Sequence, residues 1–273
     1  MKFLISGING FVASHLKHRL SMEYPDATIL GFEIEDDPRE WKDHAYDCIF
    51  HTAAIARTNE CVENGTTDAH ISNVELTRIL LNEFNYKKFI YTSSCAIYGN
   101  QEKLPITEDS PFYPPGTYAA QKLYSENLVH FHLSHMGVPS TCLRLFNTYG
   151  EGQSQLGKYP NVLASLLRTY NKHGYVEVTG DGTQTRDFIY ISDVVDALIR
   201  SMHKTSGNHI YNVCNGIEYS INYLAALISD EIRYIDPRPF DIYRQVGNYD
   251  KIKRELGWIP TVSLEEGIRL AIC

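Results

Sequence analysis

Tyr118 and Lys122 stand four positions apart in the stretch PGTYAAQKLYSEN, residues 115–127, just after a Pro-Pro-Gly break. A helix starting there puts both on one face, and an ammonium beside a phenol favours the phenolate, which turns a tyrosine into a usable base. Taken alone, the pair is equally well a packed ring and a solvated amine that meet by chance. Ser94 ends the apolar run KFIYTSS. A hydroxyl at the C-terminal end of a parallel strand lies on the edge where ligands bind in α/β sheets, and it can relay a proton.

The elements that would position these groups are readable from the hydrophobic pattern. KFLISGINGFVASHLKHRL is a short apolar run, a glycine-bearing turn and a helical pattern, the strand–turn–helix opening of a dinucleotide-binding fold. Apolar runs recur at TILGFE, DCIFHTAA, KFIYTSS and TCLRLFN with helical stretches between several of them, which predicts an α/β, doubly wound parallel sheet of Rossmann type. Gly7 and Gly10 leave room for backbone to approach a pyrophosphate at the following helix N-terminus, while Ala13 stands where a third glycine often serves helix–strand packing. Glu33 ends the next strand at the distance where a carboxylate grips the adenosine ribose. With Glu35, Asp36 and Asp37 beside it, a 2′-phosphate would be repelled. The expected cofactor is therefore NAD rather than NADP.

After Tyr149-Gly150 the texture becomes loop-like, and the last sixty or so residues are short elements punctuated by Pro237, Pro239, Gly247, Gly257 and Pro260. The expected division is a NAD-binding Rossmann domain at 1–148 and 188–213, and a small C-terminal substrate-binding region at 149–187 and 214–273. The 273 residues are 43% hydrophobic and 21% charged, enough for a sizeable core. A net charge of −8 argues against a nucleic-acid surface. No apolar run approaches the roughly 20 residues of a membrane span, and Met1 leads almost directly into a strand-like segment. A cytoplasmic protein is expected, its six cysteines free thiols without C-x-x-C spacing. His130, His132 and His135 do not share one helical face, so no metal site is expected.

GINGFVAS, DCIFHTAA, Ser72-Asn73, TSSCAIYG, YAAQK, LRLFNTYG, GDGTQTRDFIYISDVVDA, YNV and ELGWIPTVSLEEGI follow one another in an order that resembles the extended short-chain dehydrogenase/reductases, specifically the nucleotide-sugar epimerases and dehydratases of UDP-galactose 4-epimerase type. The resemblance runs nearly end to end. It implies that Tyr118, Lys122 and Ser94 are catalytic, with Lys122 also holding the nicotinamide ribose and lowering the tyrosine pKa from about 10. It implies cofactor contacts from Gly7, Asn9, Gly10, Phe11, Val12, Glu33, Thr52, Ala53, Ala54 and Asn73, the last also ordering the proton network. On the substrate side it implies Asn147, Asn161, Arg186 and Arg238 at the nucleoside diphosphate, the arginines as planar charged clamps, and Gln245 near a position that gates the C2 substituent. Arg144 reads as a buried structural arginine, and Asp187 as a structural partner. A homodimer built on the helices at HISNVELTRILLNEF and from Tyr118 is also implied.

One departure stands out. Only IEDDPREWKDHAY separates Glu33 from Asp47, room for one short helix and no strand, so the sheet should lack its usual third strand and leave the adenine pocket more open. The function implied is epimerisation of a nucleoside-diphosphate sugar, at C4 of a UDP-hexose, through a transient 4-keto sugar. A keto-sugar reductase or epimerase-reductase is the enzymatic alternative, suggested by Cys95, and a catalytically silent NAD-binding regulator is the alternative of another class.

Overall fold

The computed structural model describes residues 1–55, 66–155, 161–204, 206–237 and 242–272. Its centre is a six-stranded parallel sheet. In chain order the elements are β1 (Lys2–Ser6), α1 (Phe11–Glu23), β2 (Thr28–Phe32), a 3₁₀ turn (Pro38–Trp41), β3 (Ala45–Tyr46) and β4 (Cys48–His51). Next come α2 (Thr66–His70), a π-helical turn (Ile71–Glu75), α3 (Leu76–Glu83), β5 (Asn85–Tyr86), β6 (Phe89–Ser94), a 3₁₀ turn (Cys95–Tyr98), α4 (Thr117–Met136) and β7 (Ser140–Leu145). The second part holds β8 (Asn147–Tyr149), α5 (Val162–His173), β9 (Val176–Thr179), β10 (Thr185–Tyr190), α6 (Ile191–Met202) and β11 (Asn208–Val213). The chain closes with β12 (Glu218–Ser220), α7 (Ile221–Ala226), β13 (Ile232–Ile235), α8 (Asp250–Leu256) and α9 (Leu264–Ile272).

The sheet order is β11-β7-β6-β4-β1-β2. It crosses over at β1 and β4, so the loops after these strands open a crevice at their C-terminal ends. The pleat explains why both faces bury: on β1, Phe3 and Ile5 join a core with Leu16, Leu20, Val194 and Leu198, while Leu4 faces Ile49, Leu80, Val129 and Leu133. Each such side chain contributes about 1.5–3 kcal/mol relative to exposure. All five apolar runs of the sequence lie in this sheet, and β11 completes it.

β2 is the sheet's edge, as the short segment after Glu33 predicts. That segment forms the Pro38–Trp41 turn, and Trp41 packs on Phe32 with ring centroids 5.6 Å apart. The expectation of no strand there needs a small correction: β3 pairs with β5 in a two-residue parallel ladder, apart from the main sheet. The short strands of the second part form a three-stranded sheet β12-β10-β8 and a β13-β9 pair. β8 and β10 run across the expected boundaries at 148 and 188.

The last segment is tied down by one buried carboxylate. Asp193, in the first turn of α6, accepts from the Thr261 and Val262 backbone N–H groups (3.0 and 3.1 Å) and from Thr261 Oγ1 (2.6 Å), and its own carbonyl accepts from Trp258 Nε1. Replacing Asp193 with alanine keeps the carbonyl that holds Trp258 but strands the Thr261 and Val262 donors in a site only 3% exposed, and we expect a loss of about 2–4 kcal/mol of stability. Urea unfolding measures it; a loss under about 0.5 kcal/mol would contradict the anchoring role.

Candidate active site

A cleft of about 620 Å³ opens over the C-terminal ends of β1, β4 and β6. Its wall includes Gly7, Gly10, Phe11, Val12, Glu33, Thr52, Ala53 and Ala54 of the expected cofactor set, all three expected catalytic residues, and Asn147, Asn161 and Arg186. A larger hollow of about 760 Å³ beside β9 and β13 touches none of these residues, and the chemistry does not converge there.

At the cofactor end, Gly7 has φ +67°, and a Cβ there would meet Ala53 Cα at 3.1 Å; the turn must pass this close for β1 and β4 to frame one opening. α1 begins behind Gly10 with no side-chain cap and no acid in its first turn, so its N-terminal N–H groups face the cleft without a competing anion. Ala13 is 1% exposed and packs in the core, as its place in the motif requires. Glu33 Oε1 accepts from the Asn9 backbone N–H at 2.5 Å, and Asp36 turns back to accept from Glu33's own N–H at 2.8 Å. Asn9 itself is exposed and outside the cleft wall; its contribution is that backbone bond.

Asn73 departs from expectation. It is 1% exposed, does not line the cleft, and spends its amide on the chain: Oδ1 accepts from Ile55 N (2.8 Å), and Nδ2 donates to Ile55 O and Gln121 Oε1. The π-helical turn that carries it rotates the side chain inward between the segment after β4 and α4. Its carbonyl accepts from Ser125 Oγ of α4 at 2.6 Å. Asn73 therefore braces α4 from behind.

Beneath this end runs a chain of hydrogen bonds with a fixed direction. The Thr52 and Ala53 N–H groups both donate to Ser6 Oγ (3.1 Å each), so the Ser6 proton goes to His51 Nδ1 at 2.8 Å. His51 then carries its proton on Nε2 and donates to Thr77 Oγ1 at 2.8 Å. Burial, reinforced by the Lys122 charge, pulls the His51 pKa down to about 3, so the ring stays neutral.

The three expected catalytic residues line one stretch of the cleft. Lys122 is 2% exposed; its Nζ donates to the Thr92 carbonyl at 2.7 Å and lies 4.7 Å from the Tyr91 ring centre. Burial lowers its pKa to about 7, with Glu126 acting in the opposite sense. Tyr118 stands one turn earlier on α4, half-buried in the wall. Ser94 Oγ accepts from Ala96 N–H at 3.2 Å, capping the 3₁₀ turn and keeping its own proton to donate. Cys95 is buried, which raises its thiol pKa to about 12.

At the far end, Asn147 Nδ2 donates to the Asp187 carbonyl and to Gln245 Oε1 (2.8 and 3.0 Å). Arg186 lines the cleft while Nη1 donates to the carbonyls of Thr185 and Ile242. Asn161 caps α5, its Oδ1 accepting from Ala164 N–H. Arg238 lies outside the described residues. Asp187 is fully buried: its carboxylate accepts from the N–H groups of Asn215, Gly216 and Gly247, and burial raises its pKa to about 7 against their pull. Sequence reasoning noted Asp187 only as a partner; an acid beside the buried FIY of β10 was the available signal. Arg144 is the structural arginine expected, 2% exposed and held by Glu126 at 2.6 Å and by Tyr98 Oη.

The cradle fits a nicotinamide dinucleotide: a turn kept free of side chains by Gly7 and Gly10, an uncapped helix N-terminus for the pyrophosphate, and a strand-end carboxylate for the ribose. Among the described residues there is no cluster of three His, Cys, Asp or Glu side chains able to hold a metal, and no helix long and apolar enough to cross a membrane. The chain is 29% identical to a putative UDP-glucose 4-epimerase of Methanocaldococcus jannaschii over 98% of its length and 96% of the relative's. It is 27% identical to the dTDP-D-glucose 4,6-dehydratase of Bos taurus, over 99% of this chain and 87% of that one. A crystal structure of a Thermotoga maritima UDP-glucose 4-epimerase with UDP-glucose superposes with a TM-score of 0.91 at 29% identity, covering 100% of this chain and 97% of that one. Residues 3–214 match the pattern of the NAD dependent epimerase/dehydratase family, and the chain belongs to that family.

Proposed function

We propose that the protein is an NAD-dependent epimerase that inverts C4 of a nucleoside-diphosphate hexose, a UDP-hexose foremost, through a transient 4-keto sugar. The observation that carries this reading is the wall beside Tyr118: after Ser94 come Cys95 and Ala96, a buried neutral thiol and a methyl group. A 4,6-elimination needs a base for the C5 proton and an acid for the leaving C6 hydroxyl, and neither residue can serve. Epimerisation needs only what is present.

When bound, NAD supplies reversible hydride acceptance at the sugar carbon. Gly7, Gly10 and the first turn of α1 hold its pyrophosphate, and Glu33 its adenosine ribose. Tyr118 takes the C4 hydroxyl proton directly or through Ser94 and later returns it. Lys122, fixed to the Thr92 carbonyl, favours the phenolate while it carries its charge. Arg186, Arg238, Asn147 and Asn161 receive the nucleoside diphosphate, and Gln245, anchored on Asn147, bounds the sugar pocket. Residues 1–148 and 188–213 form the cofactor domain and 149–187 and 214–273 the substrate region. The reductase alternative rested on Cys95, whose burial as a neutral thiol gives it no support. A silent regulator would have no use for the shared placement of Ser94, Tyr118 and Lys122. Buried free thiols at Cys48, Cys95, Cys142 and Cys214 suit the cytoplasm. Two copies are proposed to pair through α4 and the π-helical turn that leads into α3, where Tyr124 and Phe131 of α4 and Ile71 of the turn are apolar and more than half exposed.

Four outcomes test this reading. Incubated in D₂O with NAD and a panel of UDP-, dTDP-, GDP- and CDP-hexoses, the protein should invert C4 of a UDP-hexose and place no deuterium at C5; C5 deuteration with loss of the C6 hydroxyl would identify a dehydratase. Tyr118→Phe should slow that inversion about 10²–10⁴-fold with NAD affinity retained, and activity within about threefold of the parent would remove Tyr118 from its role. Glu33→Ala should weaken NAD about tenfold and narrow its advantage over NADP; unchanged affinities for both dinucleotides in a fluorescence titration would refute the ribose assignment. Light scattering at micromolar concentration should report twice the chain mass, and a monomer would refute the dimer.

A further inference from the structure

Ser93 sits on β6 between Thr92 and Ser94, is 3% exposed and lines the cleft, yet its Oγ has no hydrogen-bond partner among the described residues. A buried hydroxyl is seldom left this way, because an unmade bond costs the desolvation of the group. The side chains that flank it on β6 are engaged elsewhere, Thr92 Oγ1 donating to the His51 carbonyl and Ser94 Oγ accepting from Ala96, while Tyr91 Oη, likewise without a partner among the described residues, lies outside the cleft wall. The pleat places the group. Tyr91 lies beneath the Lys122 ammonium on the face covered by α4, and Ser93, two residues on, shares that face on the side toward Tyr118. An unpaired hydroxyl thus borders the reacting end of the cleft, on the tyrosine's side of the sheet.

We propose that Ser93 is a further ligand-binding residue whose hydroxyl is completed by a ring hydroxyl of the bound ligand, from either the nicotinamide ribose or the hexose. This rests on the function proposed above for the same cleft. It differs from the role of Ser94, which keeps its own proton to donate while capping the turn that follows. A ligand partner predicts an unusual pair of effects. Removing the hydroxyl takes nothing from the folded chain without ligand, since no bond is lost, but it removes one bond from the complex.

The test compares wild type with Ser93→Ala by thermal unfolding without ligand and by calorimetric titration with NAD alone and with UDP-glucose in the presence of NAD. The expected result is an unfolding temperature equal to or above wild type without ligand, and an affinity about five- to tenfold weaker in one titration. Weakening with NAD alone identifies the ribose as partner; weakening only with UDP-glucose identifies the hexose. Affinities equal to wild type in both titrations would overturn the inference and leave the proposed function standing, as would a lower unfolding temperature without ligand, which marks a structural hydroxyl. If wild type itself bound neither compound, the proposed function would fall and this inference with it.

Discussion

A buried ammonium must find an acceptor, and that of Lys122 finds the carbonyl of Thr92 near the end of β6. This bond sets the register of α4 against the sheet. One turn further along the helix, Glu126 meets Arg144 of β7 in a second buried contact, with both side chains 2% exposed. Two charged ties on successive turns leave α4 no freedom to slide along the strands, and Tyr118, one turn before Lys122, is thereby fixed over the strand ends. Burial has a further consequence for Lys122: with a pKa near 7, its charge is retained below neutrality and lost as pH rises.

The polar groups under the cleft form two separate supports. On the cofactor side, the path from Thr52 and Ala53 through Ser6 and His51 to Thr77 has one proton per bond and only one consistent direction. A protonated imidazole would oppose it, because Nδ1 must accept from Ser6, and burial beside Lys122 keeps the ring neutral. On the substrate side, Asp187 gathers backbone donors from two separate loops while its carbonyl holds Asn147. Each support sits below side chains that face the opening. The cleft wall is therefore set by buried hydrogen bonds that can be satisfied in only one arrangement, which is how a polar interior specifies a geometry.

The sheet was legible in the sequence because every central strand is an apolar run buried on both faces, and the placement of Tyr118 and Lys122 on successive turns of one helix because a spacing of four is a local property. Edge placement of β2 was legible for the same local reason: the thirteen residues from Ile34 to Tyr46 are too few for a crossover helix and a further strand of the main sheet, and they hold only a 3₁₀ turn and the two-residue β3, which pairs outside it. What sequence could not show depends on long-range partners. Asn73 reads as a helix-surface or cofactor amide until the π-helical turn points it at Ile55 and Gln121. Asp187 reads as a structural partner, but only the fold shows what it partners, three backbone N–H groups from two distant loops. Ser93 carries no signal in sequence at all, because its distinction from Ser94 is which face of a strand end it occupies.

The missing third strand bears on how the cofactor end is built. With β2 as the sheet edge, the chain after Glu33 has no neighbouring strand to hold it, and local contacts take over: Asp36 returns to the Glu33 N–H, Asp37 caps the 3₁₀ turn, and Trp41 covers Phe32. Arg39 reaches across to Glu83 of α3 at 2.9 Å, an exposed pair worth little by itself but placed where it joins the turn to the body of the protein. Glu33 is then held from the side of the glycine turn, through Asn9, as well as by its own strand. Loss of the strand thus shortens the wall beyond Glu33 while leaving that carboxylate and the glycine turn bonded directly to one another, so that the parts of the cleft nearest Tyr118 and Lys122 do not depend on the part that is absent.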